Sequence, residues 1–290
     1  MRNVNFHRAK CPEPERALAG RRDGGLAFTL LELLVAIAIT ALMLVLLVTA
    51  AKHAGQMWSM NEQNSRLREK ARLALEVIGD DLRQARLPLD LSETPGLQFV
   101  MNPPGLNSSC RNRDSLFWQI PAKGSDSQRD QLAAVGYFVR RTGDRFALCR
   151  LYIPSSDTNF PVYDEANWIS SQVDLLAPAD AASSYRGLFL EDTVGIWIRA
   201  YRHDSSLKEE SYIADSRTDR YLPDKIEVIL AFIDSRGMAR LGGSFTADDL
   251  ETLVKESLDA NEFIAKLPDQ IRRSAGHVTL SVPLASRLAP

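Results

Sequence analysis

The strongest pattern in the sequence is an uninterrupted apolar run near the N-terminus. From Leu33 to Ala51 the 19 residues carry no charge, no glycine and no proline, and only Thr40 and Thr49 are polar. As a helix, this run is roughly 28 Å long, close to the hydrocarbon thickness of a bilayer. A helix that is apolar on every face lies either in lipid or in the centre of a large core. Its place so close to the chain terminus favours a membrane span.

Beyond this run, the apolar residues follow the period of an amphipathic helix. Between positions 67 and 85 they recur at intervals of three and four, which places them on one face, and Pro88 provides a stop. We therefore expect one helix over 28–87, whose first half lies in lipid and whose second half packs on a globular head. The apolar face consists of Leu67, Ala71, Ala74 or Leu75, Ile78, Leu82 and Ala85, and the other faces carry Glu69, Lys70, Arg72, Glu76, Asp80 and Arg83.

Further along the chain, the pattern shifts towards a period of two, which is typical of strands. Thr142-Gly143-Asp144 predicts a hairpin turn, and the pair Thr246 and Asp249 resembles a capping box that opens a helix reaching about Leu267. The predicted fold class is α+β, with a long N-terminal helix packed on an antiparallel β-sheet head. We expect strands at 116–120, 133–140, 145–153, 194–202, 225–232 and 277–282, and loops or short irregular pieces over 88–114, 154–192 and 203–222.

Composition and charge change this picture in one respect. The whole chain has 45% hydrophobic residues and a net charge of −2, which describes an ordinary soluble protein and argues against nucleic-acid binding. Residues 1–27, however, hold six basic and three acidic side chains, a formal charge of +3. Because positive flanks stay in the cytoplasm, the long part after the span should be exported. A cleaved secretory signal and a twin-arginine signal at Arg21-Arg22 are competing interpretations, and the long apolar run argues against both.

Glu32 interrupts the apolar stretch that begins at Phe28. A carboxylate at the membrane edge is costly and usually has a functional partner. The segment FTLLELLVAIAI at 28–39 resembles the N-terminal signature of type IV prepilins and type II secretion pseudopilins. Residues 71–85 are similar to the helix of J-type minor pseudopilins and the related W-type minor pilins. The resemblance covers 28–87 and continues only in patches beyond, and the fold that it implies is pilin-like.

The resemblance also implies a processing site and an assembly residue. A prepilin peptidase would cleave between Ala27 and Phe28 and methylate the new amino group of Phe28. Glu32 would then be the fifth mature residue, and its carboxylate would neutralise the Phe28 amine of a neighbouring subunit. Such a pair offsets the desolvation of both charges and fixes the axial register between helices. The chain departs from the family by having Ala27 where glycine is usual, and by a long leader of 27 residues.

The chain offers little further candidate chemistry. The sequence contains no motif typical of nucleophilic catalysis, phosphate binding or zinc binding, and the three histidines beyond the leader, His53, His203 and His277, belong to none. We therefore predict no catalytic residue, no cofactor and no metal.

Two further groups of residues need an interpretation. Asp248, Asp249 and Glu251 are expected in the first turn of a helix, where the dipole favours acids, rather than around a calcium ion. Cys110 and Cys149 either form a disulfide, closing a loop of about 40 residues in an oxidising compartment, or stay as two thiols.

These observations predict a structural subunit of a type II secretion or type IV pilus-like filament, and no enzymatic activity. The expected partners are prepilin peptidase, other pseudopilins or minor pilins, and the bacterial inner membrane, with the leader cytoplasmic and the head periplasmic. The alternatives are a lineage-specific prepilin-like protein of a Verru/Chthon-type cassette, and a membrane-anchored enzyme or ligand-binding module. The predicted segments are a leader at 1–27, a transmembrane helix at 28–51, an amphipathic helix at 52–87 and a β-rich head at 88–290.

Overall fold

A computed structural model describes residues 29–85, 98–103, 105–121, 132–154, 169, 186–201, 208–209, 213–215 and 222–284. The predicted cleavage site at Ala27 and Phe28, the predicted stop at Pro88 and the loop residue His203 lie outside these ranges. The chain divides into two units, one ending at Gly55 and the other beginning at Gln56, and each is described by itself.

Helix α1 is the longest element and runs from Leu30 to Arg83. The prediction of one helix through both apolar patterns is confirmed, with bounds a few residues inside the predicted 28–87. In the first unit, the hydroxyls of Thr40 and Thr49 donate to carbonyls of the preceding turn, so that both polar side chains are satisfied within the helix.

In the second unit, helix α1 buries the predicted apolar face. Leu67 is half-buried, and the predicted charged residues are all exposed. Gly79 lies on the buried side, where an added Cβ would come within 2.9 Å of the Leu280 side chain, so the helix backbone approaches the sheet closely at this point. The fully buried members of the face are Ala71, Ala74, Leu75, Ile78, Leu82 and Ala85.

In the described residues, ten strands form two sheets, and all neighbouring strands pair antiparallel. The first sheet has the order β5-β4-β3-β2-β1-β8, and the second has the order β10-β9-β6-β7. Their bounds are β1 Gln98–Met101, β2 Ser115–Pro121, β3 Leu132–Thr142, β4 Arg145–Pro154, β5 Arg186–Glu191, β6 Thr193–Tyr201, β7 Lys208–Glu209, β8 Ile213–Asp215, β9 Lys225–Ile233 and β10 Ala275–Pro283. With helix α1, these sheets confirm the α+β fold class.

The six predicted strands correspond to β2, β3, β4, β6, β9 and β10, each within two residues at either end. The turn between β3 and β4 falls at Gly143 and Asp144, as predicted, and Gly143 adopts a φ of +60°. The described parts of the predicted loops contain four strands that the pattern did not show, namely β1, β5, β7 and β8. These strands are only two to six residues long, too short to establish a period of their own.

Both faces of the central strands β2 and β3 are buried. The face towards helix α1 belongs to the main core, while the opposite face carries a smaller apolar cluster, which we call the back cluster. The ring of Phe117 lies over Gly136 in this cluster, where an added Cβ would be 2.2 Å from the ring. The back cluster consists of Val100, Leu106, Cys110, Phe117, Ala134, Phe138, Cys149, Leu151, Ile153 and Ile169.

Four short helices join β9 to β10, namely α2 Ser235–Met238, α3 Ala247–Glu256, α4 Ala260–Lys266 and α5 Asp269–Arg272. The predicted capping box is confirmed, because Thr246 and Asp249 bond reciprocally at the start of α3. The prediction of one helix from there to about Leu267 is wrong. Ser257 has extended dihedral angles and ends α3, and Asp259 then caps the new helix α4.

Candidate assembly site

The first turn of helix α1 is closed by a reciprocal pair of side chains. Thr29 donates its backbone N–H and its hydroxyl to Glu32 Oε2, both at 3.1 Å, and the Glu32 N–H donates to the Thr29 hydroxyl at 3.3 Å. This is a capping box, which satisfies backbone donors that a helix start otherwise leaves without partners. The carboxylate also lies at the positive end of the helix dipole.

Sequence analysis identified Glu32 but missed Thr29. The spacing Thr-x-x-Glu directly before an apolar run is itself the signature of a capping box, and it was present in the segment FTLLEL. Two of the three bonds at the helix start end on the carboxylate, and both end on Oε2. A carboxylate has about four acceptor positions, so Oε1 retains capacity for a further donor from another molecule.

The helical segment from Leu30 to Gly55, which contains Glu32 near its start, is strongly apolar overall and completely exposed. Its large side chains have high exposed fractions, for example 82% for Leu30 and 71% for Leu47. Within the part of the chain that the structure describes, this is the one helix long and apolar enough to cross a membrane. Lys52 and His53 near its end are exposed as well. Such a surface needs lipid or other helices around it, since a soluble protein does not leave an apolar area of this size in water.

In the second unit, Asp81 is the buried polar group that ties helix α1 to the first sheet. Its Oδ2 accepts the Tyr137 hydroxyl at 2.6 Å and the Arg150 Nη2 and Nε groups at 2.8 and 3.1 Å. Arg150 Nε also donates to the Tyr137 oxygen at 2.8 Å. The Asp81 carbonyl accepts the Trp118 indole N–H at 3.1 Å. Strands β2, β3 and β4 each supply one partner to this single helix residue.

Asp81 is 6% exposed, and sequence analysis did not single it out. The signal was its place on the apolar face, three residues after Ile78, because a carboxylate there must find a partner when the face is buried. Burial raises the pKa of Tyr137, and the Asp81 charge raises it further. Burial opposes the charge on Arg150, but Tyr137 and Asp81 outweigh this effect and raise its pKa above the usual value. Tyr137 therefore remains a neutral donor and Arg150 a charged donor, as the hydrogen bonds require.

Of the remaining acidic residues, Asp248 and Asp249 lie in the first turn of α3, as the sequence predicted, whereas Glu251 lies beyond that turn. Asp249 belongs to the capping box of α3, and its bonds with Thr246 lower its pKa. Asp248 and Glu251 both pair with Arg141, at 2.5 and 2.6 Å. Among the described residues, no group of histidine, cysteine, aspartate and glutamate could hold a metal ion.

A groove of about 440 Å³ lies between helix α1 and β5. Its floor is apolar, and its charged rim includes Lys70, Glu191 and Asp192. Burial, together with the neighbouring charges of Glu191 and Asp234, raises the pKa of Asp192. Among the described residues that line the groove, there is no nucleophile with an adjacent general base, which covalent catalysis would require. His277, on β10, does not line it.

No family model matches the sequence, and no curated protein gives a significant match. Among solved structures, the chain is similar to a type IV-like pilin from Thermus thermophilus, at 11% sequence identity and a TM-score of 0.37. This similarity covers 76% of the present chain and 97% of that pilin chain. At this identity and TM-score, the likeness does not establish what the protein does.

Proposed function

We propose that this chain is a membrane-anchored structural subunit of a pilin-like filament, assembled by packing of its N-terminal helix against the helices of neighbouring subunits. The observation that carries the proposal is Glu32 at the start of an exposed apolar helix. A carboxylate without a cationic partner costs free energy when it is placed in lipid, so the presence of Glu32 there calls for a function. The cationic partner that fits is the terminal amine of a neighbouring subunit.

The capping box makes Glu32 suitable for such a contact. Thr29 holds one carboxylate oxygen and so fixes the side chain at the helix start, while the other oxygen can accept the amine. A pre-positioned acceptor loses less side-chain entropy when the partner binds. Cleavage before Phe28 would leave the Thr29 N–H in place and create the amine one residue away, so the box and the intermolecular pair are compatible.

In this proposal, prepilin peptidase removes residues 1–27 and methylates Phe28, and the head is exported to the periplasm. Other pseudopilins or minor pilins are the partners, and the filament is of the type II secretion or type IV pilus kind. The described head residues support a structural role, because the buried polar groups around Asp81 serve to join helix to sheet. We propose no enzymatic activity.

The first test is the N-terminus of the mature protein. The full chain is expressed in bacteria with and without a prepilin peptidase, extracted from membranes and analysed by mass spectrometry. We expect the chain to begin at methylated Phe28 only when the peptidase is present. The variant Ala27→Gly should be processed at least as well, since glycine is the usual residue before the cut. An intact N-terminus, or one beginning after residue 50, would overturn the proposal.

The second test separates the charge of Glu32 from its capping role. Glu32→Gln keeps an oxygen that can accept from Thr29 but lacks the charge, and Glu69→Gln is the matched control at an exposed position of the same helix. Each variant is cross-linked in membranes, and the partners are identified by mass spectrometry. We expect Glu32→Gln to be processed normally and to lose its cross-links to other prepilin-like subunits, while the control keeps them.

The same experiment discriminates the alternatives. A membrane-anchored enzyme or binding module would keep its partners and activity in Glu32→Gln. A cassette prepilin of the Verru/Chthon type would lose assembly like a pseudopilin, but its cross-linked partners would be unrelated prepilin-like proteins instead of components of a secretion machine.

A further inference from the structure

Cys110 and Cys149 come from distant parts of the chain but lie in the same apolar cluster. Cys110 ends the short 3-10 helix Ser108–Cys110, which packs against β3. Cys149 lies on β4, directly opposite Phe138 of β3, and its side chain faces the back cluster. The exposed fractions of the two residues are 2% and 3%, and in the structure both are present as thiols.

The surroundings of the two cysteines are unsuited to thiol chemistry in the folded state. The other eight members of the back cluster are all apolar. Burial raises the pKa of the Cys149 thiol to about 12, and the nearby Cys110 adds to this effect. Only a thiolate attacks a disulfide, and neither sulfur is accessible to a large reagent once the cluster has closed. Any bridge between them must therefore form before folding is complete.

We infer that Cys110 and Cys149 are joined by a disulfide that forms while the exported head folds, and that this bridge fixes the connection from β1 to β2 against the back of the first sheet. The two residues are the first and last of a loop of about 40 residues, whose closure restricts the unfolded chain. The bridge brings no charged group into the back cluster.

The reaction requires a disulfide of the thiol-exchange class as oxidant, such as oxidised glutathione. One cysteine thiolate attacks a sulfur of the oxidant, forms a mixed disulfide and releases one thiolate. The second cysteine, as a thiolate, then attacks the protein sulfur of the mixed disulfide and releases the other half of the oxidant. The two cysteines lose two protons and two electrons in total, and the oxidant is reduced to two thiols.

The test uses the purified full chain in detergent, so its outcome does not depend on processing or export. Reduced, unfolded protein is refolded with a mixture of oxidised and reduced glutathione, denatured in acid and alkylated without reductant. Peptide mass spectrometry should find Cys110 and Cys149 linked and unlabelled, and labelled only after reduction. Cys11, in the predicted leader, serves as the internal control, because it should be found labelled or as a mixed disulfide with glutathione, and not linked to Cys110 or Cys149.

A second arm tests the order of events. Protein folded under reducing conditions is exposed to the same glutathione mixture without denaturant, and we expect no bridge over the time in which refolding protein becomes fully bridged. Cys110→Ala with Cys149→Ala controls for stability, since reductant should lower the unfolding midpoint of the bridged protein and leave that of the variant unchanged. Full labelling of both cysteines after oxidative refolding, or a bridge between two chains, would overturn the inference. If folded and refolding protein formed the bridge to the same extent, the proposed order of events would be wrong.

Discussion

The network around Asp81 predicts that one carboxylate on helix α1 contributes a large part of the stability of the head. Asp81→Ala removes the acceptor of three hydrogen bonds, from Tyr137 and from two nitrogens of Arg150. It leaves the Arg150 charge without a carboxylate, beside the Tyr137 hydroxyl at 2.8 Å and the ring of Tyr152, whose centroid is 4.9 Å from the guanidinium. The Trp118 bond is to the backbone and survives the substitution.

The expected loss in the free energy of unfolding follows from the burial of Asp81 and Arg150. Removal of one member of a buried ion pair costs about 3–5 kcal/mol, because the other charge is left without compensation. The Asp81 side chain is 9% exposed but that of Arg150 is 25% exposed, so water can solvate part of the remaining charge. We therefore expect Asp81→Ala to lower the free energy of unfolding by about 2–4 kcal/mol. Asp81→Asn keeps an acceptor for Tyr137 and should cost about 1–2 kcal/mol.

The neighbouring residue provides the control. Asp80 pairs with Arg83 at 2.6 Å on the exposed side of the same helix, where the two side chains are 72% and 54% exposed. Asp80→Ala should therefore change the free energy of unfolding by less than about 1 kcal/mol. The assay is urea unfolding of the full chain in detergent, followed by tryptophan fluorescence, which reports on Trp118 in the core.

A double-mutant cycle isolates the pair itself. Arg150→Met keeps most of the side-chain length without the charge, and we expect its effect and that of Asp81→Ala to be non-additive by about 1–3 kcal/mol. Strict additivity, or an Asp81→Ala effect no larger than that of Asp80→Ala, would refute the reasoning.

Three further predictions follow from single positions. Thr29→Val removes the hydroxyl that bonds with Glu32 and should speed amide exchange in the first turn of α1, whereas Thr29→Ser should not. Gly79→Val forces atoms into the Leu280 side chain and should lower the free energy of unfolding by about 1–3 kcal/mol, so an unchanged unfolding midpoint would contradict the close approach. The folded-state pKa of Asp192 is raised, so the stability linked to its protonation is present at low pH and is lost as the pH rises through that pKa. Asp192→Asn should therefore have a higher free energy of unfolding than the parent chain at neutral pH, and no higher one in acid.

The sequence predicted most of the fold because its long patterns are unambiguous. The apolar face of helix α1 repeats over five turns, and the six predicted strands are long enough to show alternation or a continuous apolar run. The strands β7 and β8 have two and three residues and exist only because β6 and β1 pair with them. Pairing with a partner distant in sequence leaves no periodic trace in so short a segment.

The candidate site was predictable in part for a similar reason. Glu32 is conspicuous because it is the only charge in an apolar stretch, and Thr29 could be identified from local spacing. The partners of Asp81 could not be identified from the sequence, because Tyr137 and Arg150 are 56 and 69 residues away. They meet the helix only through the register of β3 with β4. That register pairs Tyr137 directly with Arg150, and so brings both to one face of the sheet.

The segment between β9 and β10 explains why β9 lacks the alternation of a half-exposed strand. Along β9, every residue from Val228 to Ile233 is buried, although side chains alternate between the two faces. On one face, Leu280 and Val282 of β10 lie against Gly79 of helix α1. On the other, Trp197 donates to the Ser257 carbonyl at 3.1 Å and packs on Phe263, with ring centroids 5.7 Å apart.

The short helices α2–α5 therefore cover the face that solvent would otherwise reach. Where they end, the same face becomes polar: Arg199 lies opposite Glu227, and Tyr201 lies opposite Lys225. The change from apolar to charged positions along β6 and β9 thus marks the edge of the helical cover. A continuous apolar strand in a sheet of this kind predicts an additional layer on its second face, even where that layer has no pattern of its own to identify it.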